Sequence, residues 1–84
     1  MSLKLKSLLF IDRLTFEVDH PQQCILRAVL RDDSGLVCGA LEKEIISGQQ
    51  MIDWEGLDNL PYGEYTLEVS KGTDEMTLKL VKRI

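Results

Sequence analysis

The chain has 84 residues, 44% hydrophobic and 29% charged, with a formal net charge of −4. That length allows one small domain over residues 1–84, with a core of marginal size, and the apolar fraction excludes a disordered tail. The acidic balance leaves no electrostatic footprint for nucleic acid. The longest apolar run, Leu8–Ile11, is far too short for a membrane span.

Nearly every segment alternates with period two, and none longer than a few residues carries a helical period. Leu3–Phe10 puts Leu3, Leu5 and Leu9 on one side and Lys4 and Lys6 on the other. Asp12-Arg13 ends this stretch and no small-residue cleavage site follows, so it reads as a strand and not as a signal peptide. The chain is then expected in the cytoplasm if Met1 is native. If this is an excised sorting domain, the cell surface or exterior is expected. Arg13–Val18 turns Leu14, Phe16 and Val18 inward, and Asp19–Gln23 is a polar turn in which Pro21 forbids a ladder bond. The single histidine, His20, reads as a solvated loop residue.

Cys24–Arg31 and Leu36–Leu41 form a hairpin around Asp32-Asp33-Ser34-Gly35. With Arg31 opposite Leu36, the ladder pairs Leu30 with Val37, Ala28 with Gly39 and Leu26 with Leu41. The Ala28–Gly39 pair leaves a hollow that a large ring such as Trp54 can fill. In this register Cys24 and Cys38 lie about five residues, on the order of 16 Å, apart along the ladder. That is beyond disulfide reach, so two free thiols are expected.

Glu42–Ile46 is a less regular extension, and Ser47–Gln50 turns into a strand at Met51–Trp54. The stretch Leu57–Gly63 is an irregular crossing, after which Glu64–Ser70 alternates cleanly. Tyr65, two residues after Gly63 and at the start of a strand, suggests a tyrosine corner, its hydroxyl bonded to backbone a few residues upstream. Trp54, Pro61, Gly63 and Tyr65 are the expected structural corner. Lys71–Asp74 closes a second hairpin into Glu75–Arg83 that pairs Val69 with Met76, Leu67 with Leu78 and Tyr65 with Leu80. The whole is expected to be all-β, an antiparallel immunoglobulin/fibronectin-like β-sandwich of six to seven strands.

Residues Leu26–Ile84 resemble the small bacterial β-sandwich modules that include type IX secretion C-terminal sorting domains. They are also similar to the immunoglobulin-like domain of the flagellar hook-capping protein. The matching residues are Leu30–Val37, Ile46-Ser47-Gly48-Gln49, Ile52–Leu57, the run Leu60-Pro61-Tyr62-Gly63-Glu64-Tyr65, and a basic terminal strand ending Lys79–Arg83. The resemblance implies a scaffold that serves sorting, assembly or adhesion.

No nucleotide-binding, zincin or C-x-x-C motif occurs, and no base, nucleophile and oxyanion donor converge, so no enzyme, cofactor or metal centre is expected. Asp32-Asp33-Ser34 reads as turn chemistry and not as a cation site. Asp53, Glu55 and Asp58 beside Trp54 leave a calcium- or carbohydrate-binding module as one alternative function. A sorting or anchoring domain of a secreted protein is another. The leading expectation is a non-enzymatic protein-interaction or structural module, docking a protein partner or a second copy. The surface expected to carry it is the outward hairpin face of Ile25, Val29, Leu36 and Cys38, or the free edge of the terminal strand. In the rival expectation, Leu3–Phe10 folds over that face.

Overall fold

A computed structural model describes residues 2–83, with the backbone alone at Ser2. Met1, on which the localisation expectation turns, and Ile84, the last residue of the resembling span, lie outside them. Eight strands follow in order: β1 (Ser2–Leu5), β2 (Leu9–Phe10), β3 (Leu14–His20), β4 (Cys24–Asp32), β5 (Val37–Ile45), β6 (Gly48–Trp54), β7 (Gly63–Lys71) and β8 (Asp74–Lys82). They form two sheets, one ordered β1-β3-β6 and the other β2-β8-β7-β4-β5. The protein is all-β and two-layered. Every pairing is antiparallel except that of β2, which runs parallel to β8.

The expected first strand is two strands. Ser2–Leu5 pairs with β3, Leu3 facing Val18 and Leu5 facing Phe16. The chain then breaks at Lys6–Leu8, where the Ser7 hydroxyl accepts from the Leu9 amide at 3.0 Å, and crosses to the other sheet. There Leu9 lies beside Val81 and Phe10 beside Lys82. The segment therefore closes one side of both sheets and does not cover the β4–β5 face. Alternation alone cannot report such a crossing, because both halves keep period two.

The second hairpin has the expected register, with Val69 opposite Met76, Leu67 opposite Leu78 and Tyr65 opposite Leu80. Gly72, at φ +59°, supplies the positive φ that its two-residue turn needs. The first hairpin differs. Asp32, not Arg31, closes the turn against Leu36, its amide donating to the Leu36 carbonyl at 2.9 Å. Arg31 then faces Val37, and a bulge follows that brings Leu30 opposite Gly39, Ala28 opposite Leu41 and Cys24 opposite Ile45. The three-residue loop ends on Gly35 at φ +91°, a position open to glycine. Bulges insert one residue with no compositional mark, which is why the register could not be read locally.

The core lies between the sheets. Leu14, Phe16, Val18, Ile52 and Trp54 enter from the first sheet, and Leu26, Ala28, Leu30, Tyr65, Leu67, Val69 and Leu80 from the second. Each large side chain so buried contributes about 1.5–3 kcal/mol relative to exposure. Trp54 packs on Gly39, so the hollow is filled as the sequence suggested, although Gly39 sits beside Leu30 and not Ala28. His20 is buried at the end of β3 and not solvated as expected. Its Nδ1 meets the Gln22 carbonyl at 2.8 Å and its Nε2 contacts the Lys71 ammonium.

Candidate docking surfaces

The outward face of the five-stranded sheet was the expected recognition surface. Ile25 is 54% exposed and Leu36, in the turn, 67% exposed, while Val29 is half-buried between Ala40 and Glu68. Cys38, expected on the same face, is half-buried against the core, because the bulge displaces it from the alternation. Val37 takes the outward position and is 55% exposed. Two ion pairs cross the face: Arg27 to Glu42 at 3.0 Å and Arg31 to Glu68 at 2.6 Å. The apolar stripe is therefore cut into two ends, Ile25 at one and Leu36 with Val37 at the other.

The turn at the Leu36 end is tightly built. One oxygen of Asp32 accepts from the Ser34 amide (2.9 Å), the Ser34 hydroxyl (2.7 Å) and the Leu36 amide (3.0 Å). These bonds, that from the Ser34 hydroxyl first, hold the Asp32 carboxyl below the usual carboxylate range. Arg31 also donates to the Gly35 carbonyl at 3.0 Å. The carboxylate is thus spent on its own loop. Beside it, an open groove of about 410 Å³ is lined by Arg31, Asp32, Glu64, Tyr65 and Lys79, among others. Its charges are of both signs, which gives it no single ligand preference.

The corner residues are structural in placement. The Tyr65 hydroxyl donates to the Pro61 carbonyl at 2.6 Å, and its ring meets Phe10 edge-on at 5.8 Å. Burial, and then the nearby Cys38, Asp32 and Asp33, push the phenol above its ordinary range. Gly63 begins β7 at φ +140° and Trp54 is only 8% exposed. A ring so enclosed offers no face to a sugar. Asp53 and Glu55 converge on Arg13, at 3.0 and 3.4 Å, and Asp53 also accepts from the Thr15 hydroxyl at 3.0 Å. Asp58 is exposed and stands outside this group. Among the described residues no group of three His, Cys, Asp or Glu is placed to hold a metal ion. Cys24 and Cys38 are free thiols.

Two further surfaces stand out, of which the sequence reading named the second. Leu8, Leu9, Ile11 and Val81 are each exposed at or beside the pairing of β2 with β8, and Tyr62 is exposed just before β7. The ammonium of Lys82, a buried residue, lies 5.7 Å from the Tyr62 ring centroid and donates to the Arg83 carbonyl at 3.2 Å. The other surface is the edge of β8, the terminal-strand edge that the sequence offered as the alternative docking surface. The two residues of β2 pair with it at Val81 and Lys82, so Glu75–Leu80 has no ladder partner on that side among the described residues. How much of that edge β2 leaves open shows only once the crossing is known.

No family model and no curated protein matches the chain. Among solved structures, the chain is similar to part of a β-glucosidase from Erythrobacter marinus, at 12% identity and a TM-score of 0.59. The likeness covers 99% of this chain and 15% of that one. At such identity the likeness concerns the fold. No helix among the described residues is long and apolar enough to cross a membrane.

Proposed function

We propose that this chain is a non-catalytic interaction or structural module of the immunoglobulin/fibronectin-like kind, which docks into a larger assembly through a sheet edge. Support for the fold family comes from the two-sheet strand order, the first strand shared between the sheets, and the Tyr65–Pro61 corner. The resemblance to sorting and hook-capping modules belongs to the same proposal. The observation that carries the docking role is the open β8 edge, where strand addition supplies affinity through main-chain hydrogen bonds. The likeness to a 15% portion of a larger chain fits a module that works as one part among several.

The test is gel filtration of native extract containing the tagged chain at its own expression level. The chain is expected in species larger than the monomer, and Thr77→Pro, which removes an amide from the open edge, is expected to release it. Elution of the unaltered chain at monomer size would overturn the docking role.

A further inference from the structure

The geometry points to a second copy of this chain as an occupant of the β8 edge, joined antiparallel about a two-fold axis at Thr77. The inference rests on the edge-docking role proposed above and gives it a partner and a register. Which backbone groups face outward is set by the strand itself. The Val81 amide donates to the Leu8 carbonyl at 2.9 Å and the Arg83 amide to the Phe10 carbonyl at 2.8 Å, both across the outer edge. Odd-numbered residues of β8 therefore turn their N–H and C=O outward, since these alternate along a strand. In the window left open by β2, those residues are Glu75, Thr77 and Lys79.

The open window is symmetric. It is limited by the β7–β8 turn before Asp74 and by Leu9 beside Val81, and its midpoint is Thr77. A two-fold axis there sets Thr77 against Thr77, Glu75 against Lys79, and Lys79 against Glu75 of the second copy. Each such pair exchanges two backbone hydrogen bonds. On the outer face the ladder reads opposite charges around a threonine pair, both favourable cross-strand combinations. On the inner face Met76 meets Leu78 of the second copy twice, covering two side chains that are only half-buried. Moving the axis to Met76 opposes Glu75 to Thr77 and carries Lys79 to the turn. Moving it to Leu78 drives Glu75 into the slot that Leu9 fills. Only one register keeps both the charges and the space.

The test uses charge reversal on the purified chain, with sedimentation equilibrium over a concentration series and amide exchange as readouts. The unaltered chain is expected to dimerise, with the Glu75, Thr77 and Lys79 amides gaining protection as dimer forms. Glu75→Lys alone and Lys79→Glu alone are each expected to be monomeric. An equimolar mixture of the two is expected to form a heterodimer, and the double exchange E75K/K79E to dimerise again. Both sites are exposed, and a cooperative thermal transition in each single variant checks that it folds, at a temperature lowered only by the loss of the dimer. A monomer at every concentration, or a dimer that neither reversal weakens, would overturn the self-pairing. A purified chain that stays monomeric while the extract still holds it in a complex that Thr77→Pro releases would overturn the self-pairing alone, whereas a monomer in both would overturn the docking role as well.

Discussion

Gly39 lies against the indole of Trp54 so closely that a Cβ built on it would sit 3.0 Å from the ring's Cζ2. The contact joins β5 of one sheet to β6 of the other, and the indole is enclosed on its remaining sides by the core. Gly39→Ala meets no backbone strain, and reduced freedom of the unfolded chain offers about 0.4–1 kcal/mol. Overpacking against a fixed ring costs about 1–3 kcal/mol. Steric cost wins, and urea unfolding should show a loss of about 1 kcal/mol. Trp54→Phe in the same chain should reduce the penalty of Gly39→Ala, a coupling that a double-mutant cycle measures. A stabilising Gly39→Ala would mean that the ring has room to move.

Tyr65→Phe keeps the ring against Phe10 and removes the bond to Pro61, a loss of about 0.5–1.5 kcal/mol. The pH dependence has a definite sign. The folded phenol ionises above its ordinary value of 10.0, so its contribution is whole below 10.0 and lost as pH rises through the raised value. The unaltered protein should weaken between those limits, and the variant should show a flatter alkaline limb in unfolding curves taken at successive pH values.

Asp32 has the opposite sign. Its folded carboxyl ionises below the ordinary 3.8, so the contribution is present above 3.8 and lost as pH falls through the lowered value. Chemical shifts of the Ser34 and Leu36 amides should follow that titration. Asp32→Asn retains an acceptor for the turn and should remove the dependence. Unmoved amide shifts on acidification would show that the carboxylate does not hold the loop.

Leu36 and Leu30 share a hairpin and should behave as opposites. Leu36→Lys, in the exposed turn, should change stability by no more than about 0.5 kcal/mol. Leu30→Ala, fully buried, should cost about 2–5 kcal/mol. For a domain of this size that is much of the whole stability, roughly 0.05–0.15 kcal/mol per residue. Chemical unfolding of both variants checks the inward and outward assignments on β4 and its turn.

Legibility varied with how local the deciding physics was. The β7–β8 register was readable because a two-residue turn with Gly72 at its first position leaves one pairing, and that pairing puts apolar residues together. The β4–β5 register was not. Its loop has three residues, and the bulge at Cys38 turns that side chain from the outer face toward the core, where it is half-buried. His20 looked like a loop residue because Pro21 follows it, yet β3 continues through it opposite Gly48.

The sequence by itself determined that the chain is all-β, which faces of β3, β7 and β8 are buried, and that Tyr65 anchors a corner. These follow from period two, turn residues and the burial of aromatics, which act over a few positions. Tertiary structure decided where the first strand changes sheets, and with it how little of β8 is covered. A crossing between layers depends on which edges remain unpaired after the other strands have met, and no short window of sequence contains that sum. Of the two docking surfaces the sequence offered, ion pairs divide the outward hairpin face, and the extent to which the terminal-strand edge stays open is set only by the assembled sheets.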